Sequence, residues 1–151
     1  MRVRQAVLDA IAAHARREQP RECCGLLIGT DAEVVEAVAA ANVAVDPTRR
    51  YEVSPHDHFA AIKRCRDRAD LKVGPYSTGR GRSLDRPMRM SVIGGYHSHP
   101  HTAPEPSPTD LEQAFEGFLY LIAGPVSADT IEMRAYRLAG ARFEPVGLEK
   151  I

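Results

Sequence analysis

The chain contains no tryptophan, only three cysteines, and no excess charge of either sign: twenty Lys and Arg stand against twenty Asp and Glu. Each shortage removes a class of function. Net neutrality gives no long-range pull toward nucleic acid or an anionic bilayer, so neither is expected as a partner. No apolar run approaches the roughly 20 residues a helix needs to cross a membrane. Met1 to Glu18 carries charge throughout and lacks the apolar centre of a signal peptide, so a cytoplasmic location is expected. Cys23 and Cys24 are adjacent and cannot easily bridge each other, and there is no C-x-x-C pair to hold a metal. Cys65 falls on a helical stripe and reads as core. At 151 residues the whole chain, 1–151, is expected to form one domain that buries about 70% of its unfolded surface.

What is present is concentrated in His97-Ser98-His99-Pro100, with Asp110 following His99 after ten residues. Ser91 to Tyr96 reads as a short strand that runs into the two histidines. Residues i and i+2 of a strand share a face, so both imidazoles lean toward one point. Pro100, Pro104, Pro106 and Pro108 stiffen the following loop, which can carry Asp110 back to the pair. Two nitrogens and an oxygen suit Zn²⁺, and three protein ligands leave a fourth position for water. The plainer alternative is a helix start, with Ser107 as N-cap and Pro108 at the first helical position. Ser54-Pro55-His56-Asp57 repeats that pattern without paired histidines upstream, and there a cap is the expected reading.

The periodicity predicts a helix over 3–18, with Val7, Ala10, Ile11 and His14 on one stripe, stopped by Pro20. Strands are predicted over 24–29 and 34–40, and a short edge strand over 50–53. A second helix spans 55–70 with Phe59, Ile62, Cys65 and Ala69 facing inward. Residues 74–90 break every period with Gly74, Pro75, Gly79, Gly81 and Pro87, and read as a flexible inserted loop. A third helix is predicted over 108–116, then strands over 118–123, 131–138 and 141–146. The fold class expected is α/β (α+β): a single mixed β-sheet flanked by two to three helices.

Water activated at such a site needs a base to take its proton and later return one to a leaving amine. Glu22, at the mouth of the strand over 24–29, is a candidate; from spacing alone, an ordinary solvated acid is as good a reading. The run Glu22-Cys23-Cys24-Gly25-Leu26-Leu27-Ile28-Gly29, with His97-Ser98-His99-Pro100 and Ser107-Pro108-Thr109-Asp110, resembles the JAMM/MPN+ metalloprotease family over residues 3 to about 138. The resemblance implies a JAMM/MPN (cytidine-deaminase-like) architecture with Zn²⁺ held by His97, His99 and Asp110. It further implies Glu22 as general base and Ser107 as donor to the oxyanion, a contact worth about 3 kcal/mol in comparable deletions. The implied function is a zinc peptidase or isopeptidase, cutting after the C-terminal Gly-Gly of a ubiquitin-like sulfur-carrier protein. A homodimer is left open, and a non-catalytic MPN-type scaffold is the alternative.

In this family the substrate tail lies as an added strand beside the site. Gly94 and Gly95 are open to three readings: room for that tail, a bulge, or a tight packing point. The 74–90 loop is a candidate flap, and its arginines either meet an acidic partner or are simply solvated. His56 and His58 diverge by about 200° at a helix start and make a poor second metal pair. His101 is expected at the surface. The His-x-Glu and Pro-Cys-x-x-Cys pattern of the zinc deaminases is missing.

Overall fold

A computed structural model of the chain describes residues 1–70 and 89–151, with Ala69 and Asp70 known by their backbone alone. The core strands are the most apolar runs of the sequence. Cys24–Gly29 (here β2) and Leu119–Gly124 (β5) are buried at every position, because both faces of the sheet are covered there. Between them lies Ser91–Ser98 (β4), antiparallel to β2 and parallel to β5. Glu33–Ala40 (β3) extends the sheet beyond β2, while Glu132–Ala139 (β6) and Arg142–Val146 (β7) extend it beyond β5.

Two short strands, Arg2–Val3 (β1) and Glu149–Lys150 (β8), complete the order β7-β6-β5-β4-β2-β3-β1-β8. They explain why the first helix, Gln5–Glu18 (α1), starts at residue 5 and not at 3. Val3 is engaged on both sides, by Val34 and by Lys150. The expected mixed sheet with its helices is therefore the fold of the described residues.

One face of the sheet carries Leu27, Tyr96, Leu119, Leu121 and Ala123, packed beneath Val7, Leu8, Ile11 and Ala15 of α1. Burying a Leu or Ile side chain contributes about 1.5–3 kcal/mol, so this layer is the main source of cohesion. The opposite face carries His97, paired in register with Cys24 on β2 and Ile122 on β5. Helix Pro55–Asp70 (α2) packs against β2, β3 and β4.

Its inward stripe differs from the expected one. Ala61 and Cys65 are buried, whereas Phe59 is 73% and Ile62 41% exposed. The helix is rotated by its anchors: Asp57 accepts the Ala41 N–H at 2.8 Å, and Arg64 and Arg68 both reach Glu36 on β3. Asp57 also donates its own N–H to the Ser54 hydroxyl, which makes that segment a helix cap.

The strand expected over 50–53 reduces to a single Asn42–Val53 bridge. The third helix, Pro108–Glu112 (α3), ends four residues early, with Gln113 as its C-cap. Gly94 is a close-approach position, since a Cβ there would overlap the Leu119 carbonyl on the neighbouring strand. The side chain of Ala69 and residues 74–88 of the expected flap lie outside the described residues. No helix among the described residues is long and apolar enough to cross a membrane.

Candidate metal centre

The antiparallel register of β2 and β4 sets two ends side by side. Cys24 faces His97, and one step further Ser98 donates its N–H to the Cys23 carbonyl at 3.1 Å. The Ser98 hydroxyl accepts the Cys23 N–H at 2.8 Å, so the middle residue of His-x-His continues the ladder by side chain. The next step along that register brings Glu22 toward His99. Both are buried, at 8% and 6% exposure.

After His99 the loop curls back under its prolines. Tyr136 donates to the Pro104 carbonyl at 2.9 Å, and Arg134 reaches Glu105 at 2.9 Å, tying the loop to β6. It ends in a capping box. Ser107 accepts the Asp110 N–H at 3.2 Å and donates both its N–H, at 2.7 Å, and its hydroxyl, at 2.8 Å, to Asp110 Oδ2. Cap and ligand readings are therefore compatible. The short helix exists because Ser107 and Asp110 satisfy each other, and that geometry turns the carboxylate inward.

Three side chains converge. His97 Nε2 stands 3.2 Å from His99 Nε2 and 3.3 Å from Asp110 Oδ1, and His99 Nε2 is 3.6 Å from Asp110 Oδ2. Tetrahedral ligands about 2.0–2.1 Å from a zinc ion stand about 3.3 Å apart, so this triangle is the right size. Tautomer chemistry agrees. His99 Nδ1–H donates to the Ala103 carbonyl at 2.8 Å, which fixes the ring with Nε2 as the nitrogen turned inward. Two inward imidazole nitrogens and a carboxylate, all buried, form a donor set that a cation satisfies at once.

Burial pulls His97 below its ordinary value despite the Asp110 charge, which favours the neutral ring. Burial acts against Asp110 ionisation, but hydrogen bonds from both imidazoles and from Ser107 outweigh it and hold the carboxyl well below the usual range. For His99, burial lowers the value, and its bonds to Asp110 and to the Ala103 carbonyl reverse that. Burial pushes the Glu22 carboxyl up to about 7; His99 opposes the rise and Asp110 adds to it. Cys23 is raised to about 11 and Cys24 to about 12, chiefly by burial, so neither thiol is a nucleophile at neutral pH.

The remaining histidines stand apart from this group. His56 is 91% exposed by side chain and leans on Asp57, and His101 is exposed. One neighbour of the site has no counterpart in the sequence reading. Tyr51 lies flat against His97, with ring centroids 4.2 Å apart and planes 17° from parallel. Its segment, Arg50-Tyr51-Glu52-Val53, predicts no more than a short edge strand.

The family model described as prokaryotic homologs of the JAB domain matches residues 4–139. The chain is 31% identical over 147 residues to a desampylase of Haloferax volcanii, covering 93% of this chain and 88% of that protein. It is 27% identical over 149 residues to the CysO-cysteine peptidase of Mycobacterium tuberculosis, covering 97% and 89%. A solved structure from Desulfitobacterium hafniense superposes with a TM-score of 0.79 at 22% identity, covering 100% of this chain and 93% of the other. A JAB1/MPN domain protein from Archaeoglobus fulgidus gives 0.56 at 20% identity, covering 100% and 99%. At those identities the structural likeness speaks for the fold alone.

Proposed function

The chain belongs to the family of prokaryotic homologs of the JAB domain, with a JAMM-type hydrolase fold, and we propose that it is a zinc-dependent peptidase or isopeptidase. Its substrate is an amide bond after the C-terminal Gly-Gly of a ubiquitin-like sulfur-carrier protein. The observation that carries this reading is the buried triangle of His97, His99 and Asp110 beside a buried Glu22. The names of the desampylase and the CysO-cysteine peptidase support the substrate class.

His97 and His99 would hold the cation through their inward nitrogens, and Asp110 through its carboxylate. Bound there, zinc supplies Lewis-acid polarisation of a water and of the scissile carbonyl. Glu22 takes a proton from the water and returns it to the leaving amine. Without metal, burial raises the Glu22 carboxyl to about 7; a dication beside it would favour the carboxylate that accepts the water's proton. Ser107 holds Asp110 Oδ2 with two donors, of which the backbone N–H alone suffices. Its hydroxyl is then free to swing to the oxyanion of the scissile carbonyl.

The test is incubation of the zinc-loaded chain with Gly-Gly-tailed carriers that bear a C-terminal extension or a conjugated amine, read by intact mass. The expected product ends at the second glycine, and Glu22→Gln binds zinc but releases none of it. A Glu22→Gln variant that retains both zinc and full activity removes Glu22 from the mechanism. Protein that purifies without metal, refuses zinc and cuts nothing fits the non-catalytic scaffold instead.

A further inference from the structure

His99 is locked by a hydrogen bond to the Ala103 carbonyl, but His97 has no such lock. Its Nδ1 is fully buried and has no hydrogen-bond partner among the described residues, so no polar contact seen on that nitrogen sets the plane of the ring. What lies against that plane is Tyr51, itself buried and stacked face to face at 4.2 Å. The orientation of His97 therefore depends on how firmly Tyr51 is held.

Tyr51 sits in the connection between β3 and α2, and one side chain organises that connection. Asn42 Oδ1 accepts the N–H of Ala44 at 3.1 Å and of Glu52 at 3.1 Å. Its Nδ2 donates to the Arg50 carbonyl at 3.0 Å and to the Glu22 carbonyl at 2.9 Å. All four hydrogen-bonding positions of the amide are used. Two of them grip the residues on either side of Tyr51, and a third grips the peptide of Glu22. Backbone bonds frame the same joint: Val43 N–H to the Glu52 carbonyl at 2.9 Å, and Glu22 N–H to the Pro47 carbonyl at 2.7 Å.

We propose that Asn42 is a positioning residue whose single amide fixes both the Glu22 peptide and the Tyr51 ring that orients His97. It lies outside the group of His97, His99 and Asp110. A half-buried Asn with every donor and acceptor spent on backbone groups is a rigid spacer, and loss of its donors frees two segments at once. Outer contacts that orient a metal-binding histidine are worth roughly 10–100-fold in metal affinity.

The inference rests on the metal reading given above. Its test titrates Co²⁺ into the whole chain and reads the dissociation constant and the visible absorption bands of the bound ion. The variants are Asn42→Ala, Asn42→Asp, Tyr51→Leu, Tyr51→Phe and the double Asn42→Ala with Tyr51→Leu. Asn42→Asp keeps both acceptor contacts and loses both donors, so it severs the links to Glu22 and Arg50 selectively.

Affinity is expected to fall roughly 10–100-fold in Asn42→Ala and in Tyr51→Leu, with altered Co²⁺ bands. Tyr51→Phe restores most of what Tyr51→Leu loses. The double variant is no weaker than the weaker single one, because both act through the same ring. At saturating metal, Asn42→Asp lowers kcat and leaves KM unchanged, since Glu22 is displaced without loss of the tail-binding surface.

Amide NMR spectra identify any variant that fails to fold, and the Asn42→Asp and Tyr51 comparisons then carry the same test. Wild-type affinity and spectrum in Asn42→Asp, or losses that multiply in the double variant, overturn the inference. Wild-type protein that binds no Co²⁺ overturns the metal reading and this inference with it. Wild-type protein that binds Co²⁺ but cuts no carrier overturns the proposed substrate alone, and Asn42 is then judged on the affinity series.

Discussion

Ser107 and Asp110 satisfy each other three times over: two donors from Ser107 converge on Asp110 Oδ2, and the Asp110 N–H returns to the Ser107 hydroxyl. Ser107→Ala removes two of these contacts and keeps the backbone one. Loss of the N-cap is expected to lower unfolding stability by about 1 kcal/mol. Zinc stoichiometry is retained, because the Ser107 N–H still aims the carboxylate. Carrier cleavage, by contrast, should drop roughly 100–1,000-fold in kcat with KM unchanged, as for removal of an oxyanion donor. Intact-mass kinetics and a urea melt separate the two effects; an unchanged kcat would leave Ser107 as a cap only.

Glu22 gives the metal-free protein a pH signature. Its carboxyl titrates near 7 when folded, against an ordinary 4.5. The folded state therefore holds a proton that the unfolded chain has already released between those values. Stability from this group is fully present below about 4.5 and is lost as pH rises through 7. The loss is about 3 kcal/mol for a raise of this size. Urea denaturation of metal-free wild type and Glu22→Gln at pH 4.5 and 7.5 isolates it. The difference between the two proteins should shift by that amount, with wild type relatively weaker at the higher pH. A constant difference would mean that Glu22 keeps an ordinary carboxyl.

The β6–β7 hairpin turns on Gly140 and Ala141, both at positive φ, +58° and +63°. Paired with the Ala139–Arg142 register, this is a two-residue type I′ turn, which needs left-handed backbone at both positions. Alanine pays about 1–2 kcal/mol there for its Cβ. Ala141→Gly relieves that strain and loses part of the gain to the freer unfolded chain. The net effect expected is about 0.5–1 kcal/mol of added stability, or roughly 2–4 °C in Tm per kcal/mol for a domain of this size. A melt by circular dichroism measures it, and a lower Tm would refute the assignment of strain.

These particulars show which parts of the molecule the amino-acid order makes plain. His97 and His99 were legible because strand alternation places i and i+2 on one face. Asp110 was legible by its place after His97-Ser98-His99-Pro100 and a proline-stiffened loop, since the same cap spelling at Ser54–Asp57 marks a helix start alone. The apolar runs of β2 and β5 announce themselves as strands covered on both sides. Tyr51 and Asn42 were not legible, since their importance lies in hydrogen bonds to distant backbone, and a loop without period gives no hint of those. Phe59 and Ile62 misled for a related reason: periodicity finds a stripe, while anchors such as Asp57 and Glu36 decide how far the helix turns. The two-residue strands β1 and β8 are too short to have any pattern at all.

Zinc should act on the fold as well as on the reaction. A ligand that binds only the native state, at 100 times its dissociation constant, adds about 2.7 kcal/mol to stability. For this chain that corresponds to a rise of about 5–10 °C in Tm on adding zinc to chelator-treated protein. Asp110→Asn replaces the one anionic member of the proposed ligand set by a neutral amide, and the rise should vanish with it, along with carrier cleavage. Glu22→Gln leaves the three ligands intact, so the rise should persist while cleavage is lost. This pair of variants divides holding the ion from using it. A Tm indifferent to zinc in the wild type would mean that His97, His99 and Asp110 are a buried polar cluster held by their mutual hydrogen bonds alone.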